Sequence, residues 1–196
     1  GIPPPGGAVR IHSRALTPSA VLNATITNNT FNHTSLGGFI RLNANRSVNA
    51  LISNNSFLDI EWGGVIGIGR ITYSNLYPTS NCTLDLRDNY FNDSDMDNCG
   101  GYVRMICADS INVRAYDNEM YNRHYGSFFW LSPIRNSYYS TPSAPMPKRV
   151  NITAERNIMD SGNDGHGITA MGNVSTYAYI RNNTFRHILH NKRLFI

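Results

Sequence analysis

The amino-acid sequence predicts an all-β solenoid of about six stacked coils. Three observations carry this. A short stretch, Asn28-Asn29-Thr30-Phe31, returns as Asn54-Asn55-Ser56-Phe57 and Asn182-Asn183-Thr184-Phe185, with looser copies at 88–91, 117–120 and 156–159. Its second residue is Asn every time, at 29, 55, 89, 118, 157 and 183, and Phe or Met follows two residues later. The gaps between these Asn are 26, 34, 29, 39 and 26 residues, a short period with insertions.

The second observation is alternation. Three residues before each Asn stand Ile26, Ile52, Leu86, Ala115, Ala154 and Ile180, and five before it Ala24, Ala50, Leu84, Val113, Ile152 and Ala178. The positions between are mostly polar or long, which is the period-two pattern of a strand with one buried face. The third is a small-residue corner downstream, at Gly37-Gly38, Gly63-Gly64, Gly100-Gly101, Gly126-Ser127 and His166-Gly167. Glycine there admits the backbone of a tight corner. A second strand follows, with Ile40/Leu42, Ile66/Ile68, Val103/Met105, Phe129/Leu131 and Thr169/Met171 read as inward pairs. No repeat can bury its apolar face alone. Stacking in parallel register brings the six Asn into a ladder and the Phe/Met series into an internal stack.

Read in order, residues 1–20 form an extended N-terminal segment around Pro3-Pro4-Pro5, with Val9-Arg10-Ile11-His12 as a partial coil. Residues 21–196 are the solenoid. The coils run over about 21–47, 48–81, 82–110, 111–149 and 150–175, and a sixth begins at 176. Insertions carry Tyr73 and Tyr77 in the second coil, and Tyr138 and Tyr139 in the fourth. Both leave from the same corner and flank one side of the solenoid. Neither chain end supplies an obvious polar cap, so further coils or a partner subunit are expected at one or both ends.

With its repeated N-N-x-F coils, the chain resembles the right-handed parallel β-helix superfamily, the pectate-lyase-like group. That resemblance implies a right-handed parallel β-helix over residues 21–196. It implies little about function, since the fold serves enzymes, adhesins and structural proteins alike. Asp164-Gly165-His166-Gly167-Ile168 is similar to the G-H-G element of polygalacturonase-type glycoside hydrolases, which implies His166 as a catalytic candidate. The rest of that pattern is missing. Residues 126–140 hold no carboxylate where paired aspartates belong, and glycoside hydrolysis rests on two positioned carboxyl groups. His166-Gly167 also falls on the Gly-corner series.

Charged residues make up 15% of the chain and the net charge is +4, spread over scattered arginines rather than a basic run. This argues against nucleic acid as a partner. No apolar run is long enough for a membrane-spanning helix. Ten N-x-S/T sequons lie at Asn23, Asn28, Asn32, Asn45, Asn54, Asn81, Asn92, Asn151, Asn173 and Asn182. That is more than composition supplies, and it predicts N-glycosylation and a secreted or cell-surface protein. The three cysteines leave two pairings open, Cys82 with Cys107 or Cys99 with Cys107. Asp93, Asp95 and Asp97 have the spacing of half a calcium loop, but Asn98 and Arg104 stand where its Gly and bidentate Glu belong. No cofactor is implied.

By parity, the outer face of the second strand carries Phe39 and Arg41, Val65 and Gly67, Tyr102 and Arg104, Phe128 and Trp130, then Ile168 and Ala170. With Tyr138 and Tyr139, this aromatic and arginine strip suits a packing surface or a sugar-binding one. The expected function is a structural or adhesive glycoprotein, a subunit of an extracellular filament, surface hair or coat. Its partners are its own copies or other coat proteins. The alternative is a lyase or hydrolase acting on acidic polysaccharide.

Overall fold

The computed structural model describes residues 8–12, 19–34, 39–60, 65–69, 79–92, 102–125, 128–131, 146–160, 162–164, 167–187 and 194–195. All regular structure among them is β-strand, and the fold is a parallel β-helix. Three parallel sheets wrap one apolar core. Sheet A has seven strands, from Val9–His12 through Ile40–Asn43, Ile66–Gly69, Val103–Ile106, Phe129–Leu131 and Ile168–Ala170 to Leu194–Phe195. Sheets B and C have six strands each, beginning with Val21–Thr27 and Thr30–Thr34. The chain passes from B to C to A in each coil. The repeat therefore holds three strands rather than the two read from the sequence, because the Phe/Met stretch is itself extended. A fourth, two-stranded sheet pairs Arg123–Tyr125 with Gly162–Asp164.

The register follows the repeat. In sheet B, Ile26, Ile52, Leu86, Ala115, Ala154 and Ile180 lie side by side across the strands. In sheet C, Phe31, Phe57, Phe91, Met120, Met159 and Phe185 do the same. The first three rings stack, with centroids 5.0 and 4.7 Å apart. Strand spacing in a sheet is about 4.8 Å, so rings at equivalent positions meet face to face with no adjustment.

The bend between sheets B and C is set by two residues. The first has a left-handed backbone in every coil, at Asn28, Asn54, Asp88, Asp117, Arg156 and Asn182, with φ between 53° and 59°. Asn and Asp tolerate that conformation best among residues with a Cβ. Arg156 is the exception. The second residue is the repeated Asn. Asn55 donates from its backbone N and Nδ2 to Asn89 Oδ1 (3.0 and 3.1 Å), and Asn89 does the same to Asn118 and Asn118 to Asn157. The same pair of bonds runs from Asn29 to Asn55 and from Asn157 to Asn183. Each Nδ2 from Asn55 onward also donates to a carbonyl of the preceding coil, as Asn118 does to Leu86 O at 3.0 Å. Asn55, Asn89, Asn118 and Asn157 are buried, so these bonds satisfy groups that water cannot reach.

Cys82, at the start of a sheet B strand, is joined by a disulfide to Cys107, which follows the sheet A strand one turn on; their Cα atoms are 6.2 Å apart. Cys99 lies outside the described residues. Gly69, with φ +87°, sits against this corner, and a Cβ there would fall 2.1 Å from the Ile106 carbonyl oxygen. Among the described residues no helix is long and apolar enough to cross a membrane.

Two expectations about sheet A are corrected. Phe39, Val65, Tyr102 and Phe128 do not face outward. All four are buried in the core, where Phe39 packs on Phe31 (5.4 Å) and Tyr102 on Phe91 (5.2 Å). They stand at the corner just before each strand, where the backbone turns and alternation no longer dictates the side. In the fifth coil the faces are reversed from the prediction. Ile168 lies beside Phe129 and Ala170 beside Leu131, on the inward rows, and Thr169 lies beside Trp130 on the outward one.

Candidate functional site

With the corner residues removed, one row remains on the outer side of sheet A. Arg10, Arg41, Gly67, Arg104, Trp130 and Thr169 occupy equivalent positions on six successive strands. Each arginine is placed there by an apolar–Arg–apolar triplet, Val9-Arg10-Ile11, Ile40-Arg41-Leu42 and Val103-Arg104-Met105. In the second and third triplets both apolar members are in the core, which turns the arginine outward. Arg10 and Thr169 were missed from sequence. The triplet, present three times in sheet A and once in sheet B as Val113-Arg114-Ala115, was the signal that could have found Arg10.

Arg41 is only 7% exposed. Its Nε and Nη1 are fully buried and meet no hydrogen-bond partner among the described residues, and the same is true of Trp130 Nε1. Burial, and then repulsion from Arg104, pushes the Arg41 guanidinium down to about 10. It is charged at neutral pH, so the cost of burying it stands in full there. That cost is relieved only as pH rises above about 10, because the unfolded chain then holds the proton more tightly than the folded one.

Several arginines of sheets B and C and of the bend between them have carboxylates beside them. Arg156 grips Asp117 with two bonds of 2.6 and 2.7 Å. Arg87 forks onto Asp85, and Glu155 lies 3.3 Å from Arg156 and 3.5 Å from Arg181. The Arg156 hydrogen bonds hold the Asp117 carboxyl below its usual range. No strand of sheet A contains Asp or Glu.

The sequons divide the same way. Asn23, Asn81 and Asn151 stand on sheet B, Asn32 and Asn92 on sheet C, and Asn28, Asn54 and Asn182 on the left-handed bends between them. Asn45 and Asn173 stand in the corners entering sheet B. None lies in a strand of sheet A. Asn23 and Asn81 accept hydrogen bonds through Oδ1, from Asn49 (2.9 Å) and Ser110 (2.7 Å), which leaves the glycan-bearing nitrogen uncommitted. Asn92 and Asn151 donate from Nδ2, to Tyr90 and Asn112, so a glycan there has to share that atom.

The remaining candidates fall elsewhere. His166, Tyr138, Tyr139, Asp93, Asp95 and Asp97 lie outside the described residues. Among the described residues no cluster of three or more His, Cys, Asp or Glu is arranged to hold a metal ion. In comparisons with known proteins, no family model, no curated protein and no solved structure matches this chain significantly.

Proposed function

We propose that this chain is a secreted, N-glycosylated β-helix protein with a structural or adhesive role, a subunit of an extracellular filament, surface hair or coat. Its coil plan supports kinship with the right-handed, pectate-lyase-like solenoids. One observation carries the reading. All ten sequon asparagines are exposed or half-buried, whereas the four buried among the described residues, Asn55, Asn89, Asn118 and Asn157, all lie outside sequons. The repeat itself keeps the ladder Asn out of sequons, since Phe or Met follows each two residues later, but it does not dictate that the sequons at Asn23, Asn32, Asn45, Asn81, Asn92, Asn151 and Asn173 also reach the surface. A transferase needs the sequons at the surface, and the fold needs the ladder amides inside.

Two sheets and their shared bend would then carry sugar, while sheet A stays bare for contact with other copies or other coat proteins. Glycopeptide mass spectrometry of the native protein, paired with electron microscopy of the material it comes from, tests this. Glycans on Asn28, Asn54 and Asn182 in ordered polymers are the expected result. Unmodified chains that remain single particles would overturn it. The alternative, an enzyme on acidic polysaccharide, finds no carboxylate pair in the strands of sheet A. Release of unsaturated or reducing ends from polygalacturonate would revive it.

A further inference from the structure

We propose that Arg41 and Arg104 form a binding site for an oxyanion, a carboxylate, sulfate or phosphate group, on the outer side of sheet A. The argument begins with what Arg41 lacks. A guanidinium carries five N–H donors in a planar fork, shaped to grip two oxygens at once. Here the Nε and Nη1 edge of that fork is buried with no acceptor among the described residues. A buried cation without a counter-charge is among the costliest arrangements in a protein, and an apolar residue of similar length would remove the cost.

The neighbourhood deepens the imbalance. Arg104 is two strands away on the same row, roughly 10 Å along the sheet, and its charge disfavours that of Arg41. Gly67 stands between them and places no side chain in the gap. Trp130, on the strand beyond Arg104, adds an indole N–H that also has no acceptor among the described residues. The strands of the sheet supply no carboxylate to answer these donors. One oxyanion does so, accepting from the Arg41 edge and offsetting the repulsion between the two arginines. No glycan root stands on this face to block it.

Thermal unfolding in sodium sulfate, sodium phosphate and sodium acetate, against sodium chloride at equal ionic strength, tests the site. The wild-type midpoint should rise saturably with at least one oxyanion. Arg41→Met should weaken the apparent affinity about tenfold or more, and Arg41→Lys, which keeps charge but not the fork, should weaken it too. Arg114→Met, at an exposed arginine of sheet B, should respond as wild type does. Should Arg41→Met fail to fold, sulfate titration of indole fluorescence in Trp62→Phe, which leaves Trp130 as the remaining tryptophan, reads the same site. A saturable change supports the proposal there.

Dextran sulfate separates the sources of the group. Tighter binding than free sulfate that still depends on Arg41 identifies a polymer-borne oxyanion, and equal binding per sulfate identifies a free one. Midpoints that track ionic strength alone, an Arg41→Met response equal to wild type, or a flat indole titration would each overturn the proposal.

Discussion

The outer side of sheet A and the outer sides of sheets B and C are built by the same coils, yet Arg41 on sheet A is held unlike the arginines of the other two. On B, C and their shared bend the guanidinium groups are exposed and several stand beside carboxylates, as with Arg156 and Asp117 or Arg87 and Asp85. On A, Arg41 is buried and no strand offers an acid. The sugar-attachment sequons follow the same division. An ion pair at the surface is worth little, because water already screens it. A buried cation without one is costly. In the proposed site a bound oxyanion offsets that cost.

The largest effect comes from striking what both sides share. Asn118→Ala strands the Leu86 and Tyr116 carbonyls and the backbone N–H of Asn89, all bonded to that one side chain. At about 1–3 kcal/mol for each buried group left unmade, urea unfolding should show a loss of about 4 kcal/mol. A loss below about 1 kcal/mol would mean that the two sides do not hang on the ladder. The middle effect addresses the contrast itself. In buffer free of oxyanions, Arg41→Met should stabilise the protein by about 1 kcal/mol or more. Arg87→Met should change it by no more than about 1 kcal/mol, in the direction of loss. Equal responses would erase the distinction between the faces.

The smallest effect is confined to the bend. The Asp117 carboxyl is held below its usual 3.8 by Arg156, so its contribution is present above that value and lost as pH falls through the lowered one. Asp117→Asn should therefore unfold slightly earlier than wild type at pH 7 and together with it well below that window. A gap that persists in acid would assign the effect to the backbone at φ 56° rather than to the ion pair.

The parts of this fold that could be read from sequence are those where geometry is local and repeated. The Asn spacing and the alternation ahead of it predict the ladder and the inward rows of sheet B, because each sheet B strand is seven residues long. Sheet C was not seen as a separate sheet. Strands such as Tyr90–Asn92 are too short to show a period. Phe39, Tyr102 and Phe128 were placed outside by counting parity back through a corner, and a corner rotates the backbone by an amount no alternation rule contains. In the fifth coil Ile168-Thr169-Ala170 offers three residues with little contrast in polarity, so only pairing with Phe129–Leu131 decides which side is which. The burial of Arg41 had no signature in the sequence at all. It depends on what surrounds the strand, not on the strand.

The amide column has a sense of travel. Every transfer from Asn29 to Asn183 runs donor to carbonyl in the same direction, so the side-chain dipoles add instead of cancelling. Asn29 is left with an Oδ1 that no earlier amide fills, and Asn183 with a backbone N–H that no later Oδ1 receives, among the described residues. The two extremities are therefore complementary and not alike. In the proposed filament, copies that extended this column would have to join head to tail.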